Sequence, residues 1–330
     1  MVTERCKQIL KFIAKLLVTV ILLLWVFSRI DLTQFSQILK KARWSFLWIV
    51  WGLTIVAYWI LSIKMRLILK KQDCHADTGT LFGASAITAL YSMILPGVLD
   101  APVKWYVIRQ HTGKGSNVFS SMVYNQFSVL IFTSASALVA LIVTNPTGNW
   151  HLPAICLAIL IFLIAVSLSL LNRTLGPKLT SYLSHIIEPL PASFRSTAGK
   201  ILSQLSVFQT ASWAFHFKVV LLNFMSITIV STTIYIFAAK AARIDVPVGV
   251  FIWLCAVIFI LGRLPISIAN LGVREVTLVG TLALYGVDAP SAFLMSMIIF
   301  SNRILMAIIG VIFQLYWTMR RSEPRDKSRG

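Results

Sequence analysis

The residues best suited to chemistry gather where the chain's apolar runs break. One break reads "YSMILPGVLDAPVKWYVIR": Pro96 and Gly97 interrupt an apolar segment, and Asp100, Lys104 and Arg109 follow. Asp100 and Lys104 are four apart, so a helix places them on one face. The other break reads "LGRLPISIANLGVREVTLVG". Here Pro265 and Gly272 bracket Asn270, Arg263 precedes, and Arg274 and Glu275 open the next apolar run. A helix that ends inside a bilayer frees backbone donors and acceptors, which is tolerated only against protein or a watery cavity. The N-terminus of a half-helix carries partial positive charge and suits a phosphate. Interrupted apolar segments in corresponding halves of a chain point to a transporter's substrate site.

The sharpest single residue is Arg303. It lies near the middle of "APSAFLMSMIIFSNRILMAIIGVIFQLY", beside the polar Asn302. A charge at mid-bilayer is costly unless it faces a cavity or a partner. Arg303 is therefore expected to face inward, either pairing with Glu275 or holding a lipid phosphate. The alternative is an Arg–Glu pair that only fixes helix packing. For Asp100, Lys104 and Arg109 the alternative is a solvated loop; for Arg263 and Arg274 it is orientation or snorkelling. Asn125 and Gln126, inside another apolar run, read as interhelical hydrogen-bonding residues. No Gly-rich phosphate loop, GxSxG or HExxH motif occurs. Cys6, Cys74, Cys156 and Cys255 are too far apart for a zinc site. The chemistry expected is thus binding, with no catalytic residue, metal or cofactor.

The elements that position these residues follow from composition. Hydrophobic residues make up 58% of the 330 residues and charged residues 12%. That excludes a water-soluble globule, disorder and a coiled coil, and leaves a polytopic membrane protein. The net charge of +19 is explained by positive-inside loops, so no nucleic-acid partner is expected. Apolar runs are expected as helices at 12–27, 44–63, 118–143, 152–171, 217–239 and 289–316. Shorter ones fall at 80–95, 248–261 and 273–285. With both termini cytoplasmic and 80–95 entering and leaving on the cytoplasmic side, twenty-three Lys and Arg lie inside and six outside. The expected fold is an all-α membrane helix bundle with about eight crossings and one or two re-entrant or broken hairpins. Residues 1–330 form one membrane domain. Its first half, 1–171, has its break near 80–115. An amphipathic cytoplasmic connector, 172–216, follows. The second half, 217–319, has its break near 248–285, and 320–330 is a basic cytoplasmic tail.

The string "PISIANLGVREVTLVGTLALYGV", followed by a last helix holding "SNRILMAIIG", resembles the transmembrane region of bacterial lysylphosphatidylglycerol synthase/flippase proteins and the stand-alone flippase-like proteins grouped with it. Gly272, Arg274, Glu275, Gly286 and Arg303 carry the resemblance. "PGVLDAPVKWYVIRQHTGK", the "DL" after the first run, Trp44 and "KMRLIL" support it. Lys104 stands near a family arginine, and Asn125-Gln126 where an acid–arginine pair is common. No aminoacyl-transferring domain accompanies the region here, so lysine transfer is not expected.

The resemblance implies a cell-membrane lipid flippase. Its cargo would be an anionic or aminoacylated phospholipid or a polyprenyl-phosphate lipid. Arg303, Arg274, Lys104 and Arg109 would hold the phosphate, with Asn270 and Asn302 as further polar contacts. Glu275 and Asp100 would balance charge, and Pro96, Gly97, Pro265 and Gly272 would shape the breaks. The alternatives are a scaffold or accessory subunit of a glycosyltransferase or lipid-modifying enzyme, and a membrane enzyme acting on a polyprenyl-linked substrate. An oligomer is compatible with all three.

Overall fold

The computed structural model describes residues 17–22, 24–28, 30–94, 100–144, 148, 150–171, 204, 206–262 and 271–322. Among them the regular structure is helical. In chain order the helices are α1 (Leu17–Ser28), α2 (Leu32–Lys41), α3 (Ser45–Lys71), α4 (Thr78–Ile94), α5 (Asp100–Thr112), α6 (Gly115–Thr144), α7 (His151–Leu171), α8 (Trp213–Ala241), α9 (Val248–Leu261), α10 (Val273–Ala283) and α11 (Ala289–Ser322).

By length and apolarity α3, α6, α8 and α11 can each cross a bilayer. The α1–α2 pair, bent by 83°, makes a fifth span if it counts as one. The about eight crossings read from sequence also include α7, α9 and α10; the structure supports four or five. The 21 residues of α7 reach roughly 31 Å, enough to cross; for α9 and α10 the reason is length. The 14 residues of α9 reach roughly 21 Å at 1.5 Å per residue, against a hydrocarbon core of about 30 Å. The 13 residues of α5 and 11 of α10 reach less.

The bend after α1 has a local cause. Asp31 caps α2, its Oδ1 accepting from the backbone of Thr33 at 2.8 Å and Gln34 at 3.3 Å. The amphipathic stripe then turns Phe35 onto Phe293 of α11, ring centroids 5.6 Å apart, while Lys40 and Lys41 fall in the last turn. Such a helix suits the membrane interface. The α8 helix widens to π geometry over Phe224–Ser231, a feature that recurs at functional positions.

The bundle is built twice. Helix α3 ends with the left-handed residue Asp73 (φ 52), and Cys74 N–H returns to Leu69 C=O at 3.0 Å. Helix α8 ends with the left-handed Arg243 (φ 57), and Ile244 N–H returns to Ala239 C=O at 2.9 Å. A non-glycine residue in that conformation is uncommon; finding the same helix stop twice is a signature. A short link leads from each stop to a short apolar helix, α4 or α9. A break and a second short helix follow, α5 or α10. Each second helix ends near a left-handed glycine, Gly113 or Gly286, before a long helix, α6 or α11. The packing exchanges partners in the same way. Helix α4 lies along α11 and α9 lies along α6, while α3 and α8 pack on each other. The molecule is two interlocked four-helix repeats, α3–α6 and α8–α11.

The main apolar core lies around α8, α9 and α11, with Leu254, Leu278 and Met295 fully buried. A second cluster joins α3, α4, α5 and α6 through Leu69, Ile87 and Ile108. Of the connector, residues 204 and 206–216 are described. There Phe208 is fully buried and stacks on Tyr124 at 4.2 Å. The rest of 172–216, and 323–330 of the tail, lie outside the described residues.

Candidate functional site

The site is built at the start of α10. Gly272 has φ +85, and a Cβ there would sit 2.6 Å from Leu22 Cβ of α1. Both the backbone sign and the close approach demand glycine. The break leaves Gly272 N–H without a helical acceptor, and Glu275 Oε2 reaches back to accept from it at 2.7 Å. This is one half of a capping box. It also sets a carboxylate at the positive end of the helix dipole.

Glu275 is fully buried and Arg274 nearly so. The Arg274 guanidinium donates to Glu275 Oε1. Ser296 of α11 closes the network: its hydroxyl donates to Glu275 Oε1 at 3.0 Å and accepts from Arg274 Nε at 3.0 Å. Arg274 also stands 5.0 Å over the Phe300 ring, a cation–π contact that strengthens where water is excluded. Every member has a second partner, as a buried ion pair requires if it is not to cost more than it returns.

Arg274 and Arg303 share the lining of a small cavity with Ile258, Gly262, Val273 and Thr277, from α9, α10 and α11. Its volume is about 20 Å³, room for roughly one water. Among the described residues the site brings together two guanidinium groups and one carboxylate. Admitting an anion the size of a phosphate needs α9, α10 and α11 to part.

The structure thus brings Arg274, Glu275 and Arg303 together, with Gly272 shaping their break. The sequence offered Glu275 to Arg303 as a partner; Arg274 takes that place. Asn302 is half-buried, and its Oδ1 has no hydrogen-bond partner among the described residues. The other candidates do not line this cavity. Arg109 is exposed at the end of α5, 5.1 Å over the Trp105 ring. Lys104 is half-buried on α5. Asp100 opens α5, and its side chain lies outside the described residues, as do Pro96, Gly97, Arg263, Pro265 and Asn270.

Three features of the structure escaped the sequence. Ser296 and Phe300 gave no signal among the many apolar and hydroxyl residues of α11. Lys64 was counted as a loop residue, and this is corrected: α3 continues to Lys71, and Lys64 is 1% exposed inside it. Its Nζ donates to Asn223 Oδ1 at 2.6 Å, and Asn223 Nδ2 donates to Ser128 Oγ at 2.6 Å. The apolar run read from sequence ends at residue 63, one residue short of Lys64.

Four helices long and apolar enough to cross a bilayer, packed with shorter apolar ones around a buried ion pair, define a multi-pass membrane domain in class. The particular family follows from the whole chain: residues 12–310 match the model of the lysylphosphatidylglycerol synthase transmembrane region. The chain belongs to that family, a multi-pass membrane family with a lipid-related role. No curated protein and no solved structure matches it.

Proposed function

We propose that the chain is a lipid flippase. It passes the headgroup of an anionic or aminoacylated phospholipid, or of a polyprenyl-phosphate lipid, through the α9–α11 site while the hydrocarbon stays in the bilayer. The observation that carries this reading is the Arg274–Glu275–Ser296 network at a helix break, with Arg303 on the same cavity. Ionisable residues at such depth are expensive and belong to function by default. Arg274 and Arg303 would hold the phosphate; Glu275 keeps Arg274 in place and would release it when the headgroup arrives. Movement is downhill or driven by an ion gradient.

The repeat supports the same reading. With both termini in the cytoplasm of a cell-membrane protein, as the Lys and Arg distribution favours, α3 runs inward and α4–α5 turns back from the cytoplasmic side. Helix α8 then runs outward, and α9–α10 turns back from the other side. Two repeats of opposite orientation, each with a broken helix near the midplane, are an architecture for alternating access.

The test is leaflet exchange in liposomes holding fluorescent anionic, aminoacylated or polyprenyl-phosphate lipids. Protein-dependent exchange of one class, lost in Arg303→Ala with folding intact, is expected. Equal exchange with and without protein would leave a scaffold; chemically altered lipid would make the protein an enzyme.

A further inference from the structure

A second and much larger cavity lies in the other repeat. It is a groove of about 440 Å³ between α4, α5 and the last turns of α11, within the roughly 300–1,000 Å³ of small-molecule sites. Its floor is hydrocarbon: Ile87 from α4, Val103 and Val107 from α5. Its mouth is polar but uncharged: Gln110, Gln314 and Thr318. A positive charge stands beside it, Arg109, exposed on the neighbouring face of α5. The His111 ring lies 4.5 Å from Trp317, which lines the groove, and offers a further hydrogen-bonding group. No acidic residue occurs in α5 after Asp100 or anywhere in α11. An apolar trough, a hydrogen-bonding lip and a one-signed rim match the three chemical zones of an anionic phospholipid: chain, ester-glycerol and phosphate.

The groove is also connected to the first site. On α11, Arg303, Ala307, Gly310, Gln314 and Trp317 recur at helical spacing and share one face. Gln314 is eleven residues from Arg303, about 16 Å along the axis. Between them α4 crosses α11 in backbone contact: a Cβ on Gly310 would fall 2.3 Å from Ala86 O.

We propose that the α4–α5–α11 groove docks one lipid with an anionic headgroup, its chain along Val103 and Val107 and its phosphate beside Arg109 and His111. The further step rests on the transport reading: the Gly310–Ala86 crossing separates this docked lipid from the Arg274–Arg303 site, and α4 must lift for the headgroup to pass.

The full chain in nanodiscs is illuminated with phosphatidylglycerol or phosphatidylcholine carrying a photoreactive chain, and labelled peptides are mapped. Phosphatidylglycerol should label α4, α5 and the end of α11. Gln110→Trp and Thr318→Trp, at exposed positions, should lower that labelling by roughly tenfold, the scale of one lost well-made contact. Arg109→Ala should erase the preference over phosphatidylcholine. Arg303→Ala should keep the labelling. Unchanged labelling in both Trp variants, or equal labelling by the two lipids in the parent, overturns the proposal. Labelling without leaflet exchange leaves docking standing and removes transport. Exchange without groove labelling does the reverse.

Discussion

At the scale of the residue, the chain spends its few buried charges in two ways. Arg274 and Glu275 are paired and hydrogen-bonded on all sides. Removing one partner strands the other, a loss of about 3–5 kcal/mol. Glu275→Ala is therefore expected to unfold at a clearly lower temperature in detergent, while Ser296→Ala, which removes one bridge, loses about 1–2 kcal/mol. Lys64 is different, because its one hydrogen-bond partner among the described residues is the neutral Asn223 amide. Lys64→Met removes a costly charge and strands only an amide oxygen. Asn223→Leu strands the charge itself. The second variant should be the less stable by more than about 1 kcal/mol. A thermal-shift comparison checks the order, and the reverse order would mean the lysine has a stronger partner than the amide.

At the scale of the element, close approach decides which helices can sit where, and glycine reports it. At Gly310 a side chain would meet the backbone of α4, which cannot swing aside. Gly310→Ala should cost about 1–3 kcal/mol by overpacking. Gly280, in α10, meets nothing within 4 Å, so Gly280→Ala should stabilise by roughly 0.5–1 kcal/mol through helix propensity. The start of α4 adds a pH response. Asp77 accepts from the Thr80 hydroxyl at 2.5 Å and the Thr80 N–H at 2.8 Å, and the Thr80 hydroxyl above all holds its carboxyl below the usual carboxylate range. The native state thus binds the proton less readily than the unfolded chain. The cap's contribution is complete above the unfolded pKa of about 3.9 and fades as pH falls through the lower native value. Hydrogen exchange at Thr80 and Leu81 should rise there, and in Thr80→Ala the rise should begin at higher pH.

Helix bounds were the most legible part of the sequence. The run 248–261 matches α9, and 289–316 falls within α11. Apolar length and the Gly-Pro breaks carry that information directly. Lys64 was misplaced because the end of a span and a buried charge look alike until a partner 159 residues away is known. Of the site, "GVRE" and Arg303 could be read, because charge within apolar sequence is conspicuous. The repeat could not. Its shared features are the left-handed stops at Asp73 and Arg243 and the exchange of α4 and α9 between halves. Those are backbone and packing properties that unlike residues satisfy equally well.

At the scale of the whole molecule, the repeat makes a claim about direction. Asp73 and Arg243 occupy equivalent positions, each the exposed left-handed residue just past a long helix. If the repeats are inverted, these two points lie on opposite faces of the membrane. Asp73→Cys and Arg243→Cys, in a background with Cys6, Cys156 and Cys255 replaced by Ser, should react with a membrane-impermeant maleimide from opposite sides. Cys74 can stay: it is 2% exposed, and burial pushes its thiol up, so it reacts slowly. Labelling of both positions from one side would make the repeats parallel. The two broken hairpins would then enter from the same face, and no rocking of one repeat against the other could expose the Arg274–Arg303 site to each side in turn.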